Sequence, residues 1–168
     1  MSTSLPPLLT DGSDAALVLA SAAVRDYCGW HIAPSITETV TTRGNGRRDL
    51  LLPTLRLTDV SAATNDAVAV TVTEWDEIGL VRYPGWPAWS STMRGVTLTI
   101  THGYDECPEA LAGAIRSMAS RGVTSLGVTR SQVGQVSRQY ATGASDGALG
   151  ATDAELAIIR RYRIPAAS

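Results

Sequence analysis

The sequence predicts an α+β fold: helices flank an inserted small antiparallel β domain, and a long extended arm precedes a short C-terminal helix. Residues 14–28 and 108–121 have the apolar spacing of amphipathic helices, whereas residues 35–101 change to short runs of Thr, Val and Leu. Residues 123–151 are rich in Gly, Ser and Thr, and residues 153–163 return to a helical pattern. We therefore expect the order helix, β block, helix, arm, helix.

The first helix has predictable ends. Residues 1–13 contain two prolines and a glycine and are expected to form a flexible arm, with Ser13 as the helix N-cap. Gly29 is placed where a left-handed residue would end the helix. An apolar stripe at spacings of three and four consists of Leu17, Ala20, Val24 and Tyr27. No basic region precedes an apolar stretch at the start, so we expect no secretory signal.

The β block begins with a predicted hairpin. Residues 36–40 read as a Thr-rich strand, Asn45-Gly46 supplies turn chemistry, and residues 49–52 read as the returning strand. Residues 55–60 form a further strand with Leu55, Leu57 and Val60 inward. Alternation continues in three short runs, at Val68, Val70 and Val72, at Leu80 and Arg82, and at Val96, Leu98 and Ile100. Such spacing favours a small antiparallel sheet, sandwich or partial barrel.

The second half predicts two helices separated by the arm. Pro108 fits the first turn of a helix that Gly122 ends. Thr152 and Glu155 form a capping box that opens the last helix, before a tail over residues 164–168. Its buried side is expected to consist of Ile158, Ile159 and Tyr162. The arm is long for a compact domain, which favours a functional segment.

Composition restricts the chemistry. The 168 residues allow a buried core, and no apolar run reaches the roughly 18 residues of a membrane span, so we expect a soluble chain. All 14 basic residues are Arg, which excludes mechanisms that need a lysine, including the Walker A phosphate loop. Residues 1–109 carry seven Arg against thirteen acids, and residues 110–168 carry seven against three. This asymmetry favours different partners for the two parts.

Catalytic and metal sites find little support. Residues 143–147 match G-x-S-x-G around Ser145, but no buried strand precedes the serine, so we read the segment as a loop. His31 and His102 belong to no set with metal-ligand spacing, and each is expected to pack at a strand–helix junction and bond the backbone. Cys28 and Cys107 read as small apolar residues. We predict no cofactor and no metal.

Arginine and tryptophan indicate protein contacts. Arg160, Arg161 and Arg163 suit the last turn of a helix, and an acidic chain with one basic tail favours a protein partner over nucleic acid. Residues 83–89 are too rich in proline for a central strand and are expected to lie along an edge. Of the nearby tryptophans at 75, 86 and 89, at least one is expected to cap the β core. An exposed one would instead mark an interface or a sugar platform.

Three stretches, taken in order, resemble the head-to-tail connector (adaptor) proteins of long-tailed double-stranded DNA phages of actinobacteria. They are DYCGWHIAP at 26–34, LLLPTLRLTDV at 50–60 and TITHGYDECPE at 99–109. GQVSRQY at 134–140, followed by a short final helix, resembles the arm of that family. The similarity covers residues 13–163 and makes residues 14–163 one connector domain.

The resemblance implies a non-enzymatic virion component at the head–tail joint, assembled in the host cytoplasm. Family members form a ring, commonly of twelve subunits, beneath the portal vertex of the filled head. The implied partners are the portal protein, the next neck or tail-completion protein and further copies of the chain, with DNA only passing through the lumen and no membrane. We expect the portal or subunit interface to include Arg130, Gln135, Val136, Arg138 and Tyr140 in the arm, and Arg160, Arg161 and Arg163 in the tail.

Three alternatives remain open at this point. One is a tail-tube, tail-completion or minor capsid protein. Another is a β module that binds a sugar or nucleic acid through its tryptophans. The third is a hydrolase built on Ser145 or on the acids near His102.

Overall fold

The structure of the protein is a computed structural model that describes residues 7–9, 14–86, 88–127 and 151–165, with the backbone alone for 122–127. The chain divides into two compact units. The helical unit comprises Met1–Gly29 and Cys107–Arg163, and the β unit comprises Trp30–Glu106 and Ile164–Ser168.

The described residues of the helical unit form three α-helices. They are α1 (Ala15–Cys28), α2 (Glu109–Gly127) and α3 (Asp153–Ile159), and a short 3₁₀ turn, Arg160–Tyr162, follows α3. The residues that bury their side chains most completely in this unit are Val24, Leu111, Ile115 and Ile159. None of the described helices is both long enough and apolar enough to cross a membrane.

The predicted helix ends are partly right. Gly29 is left-handed at φ 79° and its N–H donates to Arg25 O, so the predicted end of α1 is confirmed. The N-cap is Asp14 and not Ser13, because the Asp14 carboxylate accepts from Ala16 N at 3.2 Å. Gly122 does not end α2, which continues to Gly127. A helical glycine costs only about 1 kcal/mol relative to alanine and stops a helix only when it turns left-handed.

The start of α3 is the predicted capping box. Thr152 Oγ1 accepts from Glu155 N at 3.4 Å, and the Glu155 carboxylate accepts from Thr152 N at 2.8 Å. Ile159 is fully buried as expected, but Ile158 and Tyr162 are half-buried. Leu156 takes the second buried position, because the 3₁₀ turn breaks the helical spacing before Tyr162.

The β unit contains two antiparallel sheets. Its strands are β1 (Ile36–Thr42), β2 (Asp49–Leu51), β3 (Leu57–Asn65), β4 (Val68–Val70), β5 (Glu74–Trp75), β6 (Leu80–Arg82) and β7 (Val96–His102). The four-stranded sheet has the order β1-β7-β3-β4, and the three-stranded sheet has the order β2-β6-β5. Both sheets contribute to one apolar core.

The predicted hairpin between β1 and β2 is wrong. β1 pairs with β7, and β2 pairs with β6, so the residues between β1 and β2 connect two sheets. The turn chemistry is nevertheless used, because Asn45 Oδ1 accepts from Arg47 N and Asn45 Nδ2 donates to Asp49 O. A closed Asx turn therefore carries the chain from one sheet to the other.

The core of the β unit follows two different spacings. Val96, Leu98 and Ile100 alternate inward in β7 as predicted. In β3 the irregular register after Leu57 and Val60 changes the inward spacing to three residues, so that Leu57, Val60 and Ala63 are buried. Leu55, predicted to be inward in this strand, precedes it and is half-buried.

Candidate assembly surfaces

The basic end of the helical unit is held by Tyr27 of α1. Arg160 Nε donates to Tyr27 Oη at 3.4 Å, and the Arg163 guanidinium lies 4.9 Å from the centre of the Tyr27 ring. Arg160, Arg161 and Arg163, which we name the arginine surface, are all exposed. Two of the predicted residues of the C-terminal tail, Arg160 and Arg163, are thus brought together around one tyrosine, and all three guanidinium groups are accessible to carboxylate partners.

The arginine surface stands on a buried base. Cys28 Sγ donates to Ile159 O at 3.7 Å, and both residues are buried. Burial raises the pKa of the Cys28 thiol to about 11, so the thiol stays protonated near neutral pH. Cys28 therefore serves as a small packing group that joins α1 to the end of α3.

A bidentate ion pair joins α2 to α3. Arg121 Nη1 donates to Glu155 Oε1 at 2.8 Å and also to Ser117 Oγ at 2.8 Å, and Arg121 Nη2 donates to Glu155 Oε2. Hydrogen bonding to Arg121 lowers the pKa of Glu155 to about 2, although burial opposes the shift. The pair therefore fixes the start of α3 against α2.

Five of the predicted interface residues lie outside the described residues. Residues 128–150 are not described, and they include Arg130, Gln135, Val136, Arg138 and Tyr140. The G-x-S-x-G segment around Ser145 lies in the same range. These predictions therefore stand on the sequence alone.

Two of the sequence stretches that carry the resemblance meet within the β unit. Tyr104 N donates to Ile32 O at 2.8 Å, and the His31 and His102 rings meet edge-on with centroids 4.3 Å apart. Gly103 permits this approach, because a Cβ there would lie 2.5 Å from His31 Nε2. The residues that open and close the β unit are thus packed on one another.

His31 and His102 bond differently. His31 Nε2 donates to Pro34 O at 3.0 Å, as predicted for a backbone partner. His102 Nε2 instead lies 2.9 Å from Glu38 Oε1, the diagonal neighbour across β1 and β7, so the expectation of a backbone bond was wrong. Because a carboxylate only accepts, Nε2 carries the hydrogen. His102 Nδ1 is then a buried acceptor without a partner among the described residues.

Burial lowers the pKa of His102, and the Glu38 carboxylate opposes that shift. The imidazole is therefore neutral near pH 7 and packs as part of the core. Within the described part of the chain, no group of three ligating side chains is placed to hold a metal ion.

The outer face of the four-stranded sheet is a threonine ladder. Hydroxyl groups of β1 and β7 pair across the strands at 2.8, 3.2 and 3.4 Å. The pairs are Thr37 with Thr101, Thr39 with Thr99, and Thr41 with Thr97. The three pairs make a regular row of hydroxyl groups along β1 and β7.

The tryptophans at 75, 86 and 89 differ in burial. Trp89 is 1 % exposed, its Nε1 donates to Val81 O at 3.3 Å, and its ring meets Tyr83 edge-on, so the predicted cap of the β core is confirmed. Trp86 is 87 % exposed and Trp75 is 39 % exposed. The segment around Trp89 is irregular as expected, but it packs inward as well as along the edge.

A shallow hollow lies beside Trp75 at the edge of the three-stranded sheet. It has a volume of about 240 Å³ and is lined by Glu74, Trp75, Asp76, Leu80 and Arg82. On the same sheet, Arg82 Nε donates to Asp49 Oδ1 at 2.8 Å, and Arg82 Nη1 lies 3.4 Å from Glu74 Oε2. We call this feature the tryptophan hollow.

The fold is that of chains in particle necks. The chain is similar to a chain in the neck of a native GTA particle computed with C12 symmetry, with a TM-score of 0.59 at 15% identity over 92% of this chain and 82% of that one. A chain in the neck of an empty GTA particle computed with C6 symmetry gives 0.57 at 16% identity, covering 95% and 83%. A chain in the virion of a native gene transfer agent particle gives 0.53 at 16% identity, covering 96% and 87%. No family model and no curated protein matches the sequence.

Proposed function

We propose that the chain is a non-enzymatic structural protein of a phage-like neck, which forms a ring beneath the portal vertex and joins the DNA-filled head to the tail. The observation that carries this proposal is the shared fold over 92% of the chain with a chain from a neck of C12 symmetry. The proposal of an actinobacterial phage rests on the three sequence stretches, since the similar structures belong to gene transfer agent particles.

The proposed partners are assigned from the arginine surface and from the sequence of residues 128–150. The arginine surface is exposed, Tyr27 holds Arg160 and Arg163, and a guanidinium matches a carboxylate in a two-bond geometry. We assign it to the portal or to a neighbouring subunit. The interface role of residues 128–150 remains a proposal from sequence.

Ring formation places a demand on the surface of each copy. A closed ring of identical subunits uses two different complementary patches on every subunit. The uneven charge of the chain, acidic before residue 110 and basic after it, is consistent with such a pair. Twelve copies are our expectation for the ring.

Disruption of the gene, followed by electron microscopy of the particles, tests the location. Separate DNA-filled or leaking heads beside complete, unattached tails support the connector. Missing or malformed tails would move the protein into tail assembly. Fully joined particles would contradict a role in the neck or the tail.

Complementation of the disrupted gene tests the arginine surface. A chain truncated after Ile159, or one carrying Gln in place of Arg160, Arg161 and Arg163, is expected to leave heads and tails unjoined. The matched control carries Gln at Arg43, Arg47 and Arg48, three exposed arginines of the β unit, and is expected to join them. Full joining by the Gln variant of the arginine surface would remove the docking role from those residues.

A further inference from the structure

The tryptophan hollow has the dimensions of a site for one side chain. Its volume of about 240 Å³ lies below the roughly 300 Å³ at which small-molecule pockets begin. Trp75 is 39 % exposed beside the half-buried Leu80, so an apolar floor and an indole ring both face solvent. Exposed aromatic rings of this kind are typical anchors of protein interfaces.

The charges around the hollow are negative. The charged side chains that line it are the carboxylates of Glu74 and Asp76 and the guanidinium of Arg82. Arg82 already bonds Asp49 and Glu74, and Arg56 bonds Glu77 at 2.6 Å. The carboxylate of Asp76 has no ion-pair partner among the described residues. One exposed carboxylate therefore remains beside an exposed indole.

The edge of the sheet disfavours the addition of another strand. β5 is the outermost strand of its sheet and is only two residues long. Glu74 and Asp76 place charges on either side of Trp75, and short, charged edges block strand pairing. The hollow is thus better suited to a side chain than to a peptide backbone.

The chain itself contains a group with matching chemistry. Tyr27 engages Arg160 and Arg163, whereas the exposed guanidinium of Arg161 makes no side-chain hydrogen bond or ion pair with a described residue. A guanidinium stacks on an indole face and bonds a carboxylate at the same time. Arg161 belongs to the helical unit and the tryptophan hollow to the β unit. Because both lie in the same chain, every copy can offer an arginine to one neighbour and a hollow to another.

We propose that Arg161 of one copy docks in the tryptophan hollow of the next, with its guanidinium on the Trp75 ring and against the Asp76 carboxylate. The inference rests on the proposed function, because it supplies the head-to-tail contact that a closed ring needs. Each copy donates one arginine and receives one. The contact propagates until the ring closes.

Cross-linking through cysteines placed beside the contact tests it in the protein. Ala157→Cys and Ile78→Cys are exposed positions that leave Arg161, Trp75 and Asp76 in place, and the chain carrying both is treated with a short thiol-reactive cross-linker beside each single variant. A linker is used because an arginine–carboxylate contact holds the two backbones farther apart than a disulfide spans. A head-to-tail contact predicts a ladder of linked copies for the double variant and no products beyond dimers for the single ones. The control pairs Ala157→Cys with Arg94→Cys, at an exposed arginine elsewhere in the β unit, and is expected to give no ladder.

Charge exchange provides the second measurement, by sedimentation of the purified chain. Arg161→Asp and Asp76→Arg are each expected to weaken self-association about tenfold, and together to restore it. Trp75→Ala is expected to weaken it similarly, whereas Trp86→Ala, which removes the more exposed ring, leaves it unchanged.

The outcomes separate the inference from the proposed function. Absence of a ladder, or self-association unaffected by Trp75→Ala, overturns the inference, and unattached tails after gene disruption still support a neck protein. A ladder in the cross-linking experiment, together with fully joined particles after gene disruption, supports the contact between copies but overturns the proposed role in the neck. If purified portal protein binds the Arg161→Asp chain and no longer binds the Trp75→Ala chain, the hollow is assigned to the portal instead, and this result also overturns the inference.

Discussion

Removal of the charge on Glu155 is expected to weaken the junction of α2 and α3 in a pH-dependent way. Glu155→Gln keeps the length of the side chain and an oxygen that accepts from Thr152 N, but it removes the ion pair with Arg121. The lowering of the Glu155 pKa from 4.5 to about 2 corresponds to an upper limit of roughly 3 kcal/mol in the free energy of unfolding. Because the Arg121 side chain is 41% exposed, solvent screening reduces this contribution, and we expect Glu155→Gln to lower the free energy of unfolding by about 1–2 kcal/mol at pH 7.

The sign of the pH dependence follows from the lowered pKa. The folded chain holds the proton on Glu155 less tightly than the unfolded chain, so the stabilisation is present above pH 4.5 and is lost as the pH falls toward about 2. Urea unfolding, followed by far-UV circular dichroism, measures the free energy of unfolding of both proteins at each pH. The difference between them is expected to be largest at neutral pH and mostly lost by roughly pH 3.

Two results would refute this reasoning. One is equal unfolding free energies for both proteins at pH 7. The other is a difference of the same size at every pH, which would indicate altered packing and not a lost charge. Glu106→Gln, at an exposed glutamate of the β unit, serves as the control and is expected to change stability by less than about 0.5 kcal/mol.

Further predictions concern the β unit and the middle of α2. Trp89→Ala removes a fully buried ring and is expected to cost about 3–5 kcal/mol in urea unfolding, whereas Trp86→Ala stays within about 0.5 kcal/mol; equal losses would contradict the assigned burial. Gly103→Ala adds a Cβ at φ +106° against the neighbouring imidazole and is expected to cost more than about 1 kcal/mol. Gly113→Ala adds one in open space on α2 and is expected to raise stability by about 1 kcal/mol, so the same sign for both glycines would refute the packing. Burial lowers the pKa of His102, so the folded chain resists protonation and its stability falls as the pH drops below 6.5. His102→Gln is therefore expected to reduce the change of the urea midpoint between about pH 7 and 5. An unchanged pH dependence would assign that change to other groups.

Local patterns were sufficient wherever a structure is determined within a few residues. The left-handed end at Gly29 and the Thr152–Glu155 capping box depend on neighbouring side chains and backbone, and both were predicted. The alternation of Val96, Leu98 and Ile100 is likewise the direct trace of one buried sheet face. These features need no knowledge of distant parts of the chain.

Strand pairing was not accessible to the same reasoning. Asn45-Gly46 is typical of a two-residue hairpin, but β1 pairs with β7, which lies more than fifty residues further along the chain. The choice depends on which faces share the core, and a local turn signal does not report it. In β3, the irregular register hid the inward spacing, because inward residues recur every three positions and not every two.

The candidate surfaces divide in the same way. The local sequence was enough to predict the arginines at 160, 161 and 163 as interface residues. It does not show that Tyr27 contacts Arg160 and Arg163, because these residues lie more than 130 positions apart. The difference between the buried Trp89 and the exposed Trp86 depends on the path of one irregular segment. Proline content predicts such a segment without predicting which ring turns inward.

A reconstruction of the particle neck by electron cryomicroscopy would show whether the chain forms the proposed ring. We expect a closed ring of this fold between portal and tail, with twelve copies. Density for the chain in the tail tube or the capsid shell, or a neck that does not contain it, would exclude the proposed connector.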